Sequence, residues 1–251
     1  PFSLINALED RKLRNYWASS GATSLLPKFV DDMEMKMEYF DHCFIEGDTL
    51  ETSDVVNGGA ELFLYQSGYL TIKGYDDGVY ILGFPNFEVR KALYRVVVPA
   101  LTMKSNSEVV SAQSFLRKMM QDGNTAEAKK ALKALIADVP YSNKKMASMD
   151  MEERYRLIMS TIFRALGFRV EVERMLATGR IDMIVEVPTI IYVLELKLSN
   201  NGGISAAESQ IKEKSYTEPF KADKRKVIAL AVELDETGKG LIDWKEVDES
   251  L

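Results

Sequence analysis

The sequence predicts a mixed α+β / α/β chain in two parts: a helical N-terminal region carrying a β-hairpin, then a C-terminal domain ordered α-β-β-β-α-β. Three observations predict it. Before residue 50, apolar positions recur at helical spacing: Phe2, Ile5 and Leu8, then Leu25, Leu26, Phe29, Val30, Met33, Met37 and Phe40. Asp76-Asp77-Gly78 separates two short strand-like runs, and beyond Asp150 three more such runs lie between two amphipathic stretches.

Taken in order, Asn57-Gly58-Gly59 breaks the chain before a short segment at 60–67. The runs 69–73 and 79–82 flank the Asp-Asp-Gly turn as a hairpin, and after Pro85 the stretch 87–98 returns to helix. Helix, hairpin, helix suits a winged-helix-like module and equally a plain packing unit. Residues 107–137 read as a helical hairpin, 109–120 and 126–136, with a turn at Asp122-Gly123-Asn124 and Thr125 as the expected N-cap. The polar stretch 141–145 after Pro140 marks a boundary. Asp150 can cap a helix running to about Leu166, with Tyr155, Ile158, Met159 and Ile162 on its apolar face and Gly167 at its end. Strand-like runs follow at 168–176, 180–187 and 190–198. A loop at 199–203 leads into a helix at 204–216, then 226–233 forms a buried strand and 241–247 adds an edge.

Composition narrows the function. A hydrophobic content of 46% excludes general disorder, and no apolar run approaches the ~20 residues needed to span a bilayer. There is no basic-then-apolar leader, so a cytoplasmic location is expected. Pro1 opens the chain without a methionine, inside a pattern that is already helical, which reads as a fragment or processed product. One cysteine, Cys43, and one histidine, His42, are too few for a disulfide, a structural zinc site or a Cys-His protease pair. Metal chemistry must then rest on carboxylates, which favours Mg²⁺ or Mn²⁺. The net charge of −6 argues against a protein that coats DNA, although residues 144–226 carry 15 Lys and Arg against 12 Asp and Glu.

Asp182, on the second of the three strands, precedes Glu195-Leu196-Lys197 on the third. Alternation puts Glu195 and Lys197 on one side of their strand with Val193, and leaves Leu194, Leu196 and Leu198 for the other. Glu and Lys on an exposed strand face are usually surface ion pairs worth ~0–1 kcal/mol. Here the flanks Ile181, Met183-Ile184-Val185 and Tyr192-Val193-Leu194 place the trio in central strands, where an unpaired charge is costly unless a cleft or a metal receives it. Glu171 and Glu173 share a strand face and either line a cleft or form a solvated face. The run Lys221 to Lys226 suits a phosphate backbone or a solvated turn, and Met33, Met35 and Met37 read as packing.

These motifs, with Gly179-Arg180 before Asp182 and with Gln210-Ile211-Lys212 and Tyr216 after Lys197, resemble the PD-(D/E)XK nuclease superfamily. The likeness is closer still to a bacterial family of uncharacterised proteins in which such a domain follows an AAA-ATPase-like domain. Residues 1–8 (PFSLINAL), Asn15-Tyr16-Trp17, residues 64–73 (LYQSGYLTIK) and residues 84–89 (FPNFEV) extend it into the N-terminal half. The resemblance implies a restriction-endonuclease-like domain at 146–251, a helical-hairpin linker at 106–145, and the helical end of an ATPase-like part at 1–105. It implies that Asp182, Glu195 and the Leu196 carbonyl bind Mg²⁺ or Mn²⁺, that Lys197 orients water or stabilises the transition state, and that Gln210 supports the site. A helix glutamate completes the set, Glu152 first and Glu153 second. Arg180, Lys214 and Tyr216 meet the substrate. The expected function is Mg-dependent hydrolysis of nucleic acid, DNA foremost; the alternative is a non-catalytic module that binds nucleic acid or protein under the control of an ATPase-like domain. No Gly-x4-Gly-Lys-[Ser/Thr] occurs, so no ATP site is expected in this chain, and the ATPase-like partner lies upstream.

Overall fold

In the computed structural model, which describes residues 39–52, 58–137 and 149–248 together with Leu8, Glu9 and Arg11, Asp77 and Gly78 both take positive φ, 41° and 86°. That is the backbone of a two-residue type I′ turn, and Asp-Gly is the dipeptide that adopts it at least cost. It joins β2 (Thr71–Asp76) to β3 (Val79–Gly83). The helical pattern read over residues 1–38 falls outside the described residues apart from Leu8, Glu9 and Arg11, and the polar boundary at 141–145 falls wholly outside them.

The chain divides into two units, Pro1–Val97 and Val98–Leu251. In the first, β1 (Cys43–Glu46) pairs antiparallel with β3 to give a three-stranded sheet ordered β1-β3-β2. This corrects the all-helical reading of residues 1–50. Cys43 and Ile45 are buried while Phe44 and Glu46 are exposed, a period of two that four residues are too few to announce. The short helix α1 (Gly47–Glu51) follows β1, and α2 (Gly59–Gln66) buries Leu62, Phe63 and Leu64. Helix α3 (Phe87–Thr102) runs past Pro99, four residues beyond its expected end at 98, and the Thr102 hydroxyl donates to the Val98 carbonyl at 2.8 Å.

The second unit is built on a five-stranded sheet, β4 (Arg169–Leu176), β5 (Gly179–Glu186), β6 (Ile190–Leu198), β7 (Lys226–Leu234) and β8 (Leu241–Val247), in that spatial order. Neighbours are antiparallel except β6 and β7, which are parallel. A parallel pair needs a crossover, and helix α7 (Gly203–Lys214) supplies it between those two strands. Its Ala207 and Ile211 pack with Ile181, Ile184, Ile191, Val193, Ala229 and Ala231 of the sheet. Helix α6 (Met151–Ala165) starts after Asp150 and buries Tyr155, Ile158, Met159 and Ile162. The Tyr155 hydroxyl donates to the Asp235 carbonyl at 3.0 Å and accepts from the Gly240 N–H at 2.8 Å, tying the helix to the β7–β8 connection.

Helices α4 (Asn106–Asp122) and α5 (Thr125–Ile136) belong to this same unit and dock on the sheet. The Tyr192 hydroxyl donates to the Met120 carbonyl at 2.6 Å, Trp244 Nε1 donates to the Thr125 carbonyl at 2.9 Å, and Lys129 pairs with Asp243 at 2.5 Å. A stretch that reads as a linker is therefore packed against β6 and β8. Ser105 and Glu108 form a capping box on α4, and the N-cap of α5 is Asn124, whose side chain accepts from the Glu127 N–H, one residue before the expected Thr125. No helix among the described residues is long and apolar enough to cross a membrane.

Candidate active site

The β4–β5–β6 ladders are continuous except at one place. Pairing between β4 and β5 runs from Arg169↔Glu186 to Leu176↔Gly179 but skips Glu173 and Asp182. Pairing between β5 and β6 runs from Glu186↔Ile191 to Met183↔Leu194 and stops, whereas β6 stays paired with β7 through Leu198↔Leu234. Asp182 thus stands where the sheet opens on both of its sides. Its own side chain fills part of the gap, Oδ2 accepting the Leu196 N–H at 2.8 Å. Glu173 meets the same irregularity with a φ of 53°, a left-handed conformation that costs a residue with a Cβ on the order of 1–3 kcal/mol.

Glu195 comes next along the parting strand and is completely buried. Its Oε1 accepts from Lys197 Nζ at 2.6 Å, and no donor reaches the buried Oε2. Burial first, and then the nearby Asp182 charge, push its carboxyl up to about 8 against the pull of Lys197. Burial alone disfavours the Lys197 ammonium. The hydrogen bond to Glu195 and the charges of Glu195, Asp182 and Glu152 outweigh that and hold its pKa above the ordinary lysine value. Lys197 Nζ also lies 3.2 Å from the Leu196 carbonyl, so the ammonium bridges two oxygens of the kind that bind a hard cation. Glu152, on the first turn of α6, has its carboxyl raised by burial and then by the Asp182 charge, with Lys197 and Arg156 opposing. These interactions bring Glu152 to the cluster; Glu153, beside it, makes no described contact there.

Two arginines complete the surroundings. Arg156 Nη1 lies 3.5 Å from Glu173 Oε1 and 3.6 Å from Asp182 Oδ1, and Arg180 Nη1 lies 2.9 Å from the same Glu173 oxygen. Arg156 belongs to none of the motifs in the sequence. The signal was present, since it lies four residues after Glu152 and hence on the same helix face. In the sequence Glu173 stands out only as half of an acidic pair, because a left-handed backbone leaves no mark in composition.

Gln210 and Tyr216 lie behind β5. Gln210 Nε2 donates to the Tyr216 hydroxyl at 3.0 Å, which donates to the Arg180 carbonyl at 2.8 Å, two residues before Asp182. Tyr216 is 1% exposed, and this places its ring as an internal brace, not at the surface expected of a substrate contact. Gly179 allows the approach, since a Cβ there would sit 3.0 Å from the Tyr216 hydroxyl. Lys214 is exposed, with its backbone carbonyl accepting from Thr178 Oγ1 at 2.9 Å. Glu171 pairs with Arg174 at 3.5 Å, and Arg225 of the basic run is bound by Asp223 and Glu186. Neither feature joins the cluster. Among the described residues no three His, Cys, Asp or Glu side chains are arranged to hold an ion by themselves.

The sequence of this region has a known counterpart. Residues 150–244 match the family model of the PD-(D/E)XK nuclease superfamily. They form a PD-(D/E)XK nuclease superfamily domain. The fold of the second unit, helices packed on a mixed sheet, is the restriction-endonuclease-like one that this superfamily uses. Along its whole length the chain is also 25% identical to an "Uncharacterized protein in vnfD 5′region" of Azotobacter chroococcum mcd 1. The chain spans about half the length of that relative, 49%. No solved structure matches it. The PD-(D/E)XK domain contains Asp182, Glu195, Lys197, Gln210 and Glu152, while α4 and α5 lie outside the matched range.

Proposed function

We propose that the PD-(D/E)XK domain is a cytoplasmic hydrolase of phosphodiester bonds in nucleic acid, DNA foremost, dependent on Mg²⁺ or Mn²⁺. The observation that carries this is Glu195 Oε2. It is a carboxyl oxygen in a fully buried side chain, beside a second carboxylate, with no donor in reach. Such an atom is costly as it stands and suits a hard divalent cation with oxygen ligands.

Asp182, Glu195 and the Leu196 carbonyl would hold the ion. When bound, it supplies a water of lowered pKa and offsets charge on the phosphate. Lys197, held beside Glu195, orients the attacking water or donates to a phosphoryl oxygen as negative charge builds there. Glu152, whose carboxyl is raised by burial and by the Asp182 charge, stands beside the cluster as the helix carboxylate that completes the set. Arg180 and Lys214, both reachable from solvent, take flanking phosphates. Gln210 and Tyr216 position β5, and through it Asp182, without touching substrate. The first unit, on this reading, is the end of an ATPase-like part whose nucleotide site lies elsewhere.

A second reading, a non-catalytic module that binds nucleic acid or protein, is favoured by one observation: Lys197 and Arg156 already balance the two carboxylates as ion pairs. Incubation of the chain with single- and double-stranded DNA and RNA, with Mg²⁺ or Mn²⁺, separates the two. Cleavage that vanishes in Lys197→Ala and Asp182→Asn establishes the nuclease. Retained binding with no cleavage, unchanged in both variants, establishes the module.

A further inference from the structure

Two guanidinium groups converge on one carboxylate oxygen at the mouth of the site. Arg180 Nη1 is 2.9 Å and Arg156 Nη1 3.5 Å from Glu173 Oε1. The Arg156 side chain is only 12% exposed, its Nη1 makes no hydrogen bond, and its other neighbour is Asp182 Oδ1 at 3.6 Å. Both of its ion pairs are too long for hydrogen bonds, so a buried donor is left spare beside the proposed reacting centre. The acceptor between the arginines is itself held at a cost. Glu173 is the residue of β4 with a φ of 53°, at the position the ladder skips. Its side chain is 36% and that of Arg180 49% exposed, so both can be reached from solvent.

We infer that Arg156 and Arg180 form a phosphate clamp, and that Glu173 occupies it in the free protein as an internal stand-in for a backbone phosphate. The inference rests on the nuclease reading only for the identity of the ligand, a nucleic-acid phosphodiester. Paired guanidiniums match the geometry of a phosphate, which offers more acceptor oxygens than one carboxylate oxygen and can bond the spare donor of Arg156. A phosphate held there lies beside Asp182. When it enters, the Glu173 carboxylate leaves, and the strand is free to relax from its left-handed turn.

The test is equilibrium binding, by fluorescence anisotropy, of a labelled single-stranded oligonucleotide and its duplex, without divalent ion and over a range of salt. Glu173→Gly is the informative variant, because glycine accepts a positive φ and removes the carboxylate without straining the backbone. Glu173→Gln, which keeps the side-chain size, is its control. Both should bind about tenfold tighter than the unaltered chain, as loss of a charged competitor implies. Arg156→Gln in the Glu173→Gly background should cancel the gain and lower the salt slope by about 0.7 for the single strand, one phosphate contact. Binding that is weaker or unchanged in folded Glu173→Gly, or absent from every variant at low salt, overturns the clamp. Tighter binding with no cleavage by any form under Mg²⁺ or Mn²⁺ keeps the clamp and removes the nuclease. Cleavage with unaltered binding does the reverse.

Discussion

Glu195 is an acid whose folded-state pKa, about 8, lies well above the ordinary 4.5. Between those values the native chain holds a proton that the unfolded chain has lost, so stability falls as the pH rises through that window. Lys197, raised above the ordinary lysine value, stays charged throughout this window, and its pull is already part of the Glu195 value. In metal-free buffer the stability should drop by on the order of 1–3 kcal/mol between pH 5 and 8. Added Mn²⁺ should recover it at pH 8 with release of a proton, because the ion binds only the ionised carboxylate. Glu195→Gln should flatten the profile and remove the response, which thermal melts across pH with and without Mn²⁺ will read. Tyr216→Phe is a second residue-scale case. It leaves the Arg180 carbonyl and the Gln210 amide without their common partner and should cost about 1–2 kcal/mol in urea unfolding. A brace of this kind should also lower cleavage while leaving oligonucleotide affinity nearly unchanged; a surface substrate contact would lower affinity first.

At the scale of elements, the decisive feature is that β5 and β6 part company at Met183↔Leu194 while β6 remains bonded to β7. Central strands with apolar flanks keep the carboxylates inside, and the local failure of pairing makes the space in which they meet. The helical hairpin α4–α5 supports the far side of the same sheet through Trp244, Lys129 and Tyr192. Trp244 is 4% exposed, and Trp244→Ala should destabilise the second unit by about 3–5 kcal/mol. Hydrogen exchange should then accelerate across α4 and α5 before it does in β5 and β6. Equal acceleration everywhere would mean that the hairpin and the sheet unfold as one.

At the scale of the whole molecule, the division falls at Val97/Val98, so the helical hairpin goes with the nuclease-like domain. A chain of residues 104–251 should therefore fold cooperatively, keep the pH and Mn²⁺ response of Glu195, and need no part of the first unit for either. A chain beginning at residue 146, where the resemblance alone would cut, loses the partners of Trp244 and Tyr192 and should aggregate or melt far lower. Size-exclusion chromatography and calorimetry on the two chains settle the matter.

The order of elements in the second unit, the Asp-Gly hairpin and the candidates Asp182, Glu195 and Lys197 are all legible in the chain before it folds. Each of these is written locally, in a period of two or 3.6, a turn dipeptide or a short motif. Alternation alone was enough to put Glu195 and Lys197 side by side, and their 2.6 Å contact follows from it. Tertiary structure decided what depends on partners distant in sequence. It added β1 to the first sheet, since an isolated four-residue alternation carries too little pattern, and it moved α4 and α5 from linker to domain. It turned Tyr216 inward as a brace. It also brought Arg156 and Glu173 to Asp182, because a helix crossing a sheet and a strand forced left-handed at one residue are set by packing, and packing has no signature in any single stretch of chain.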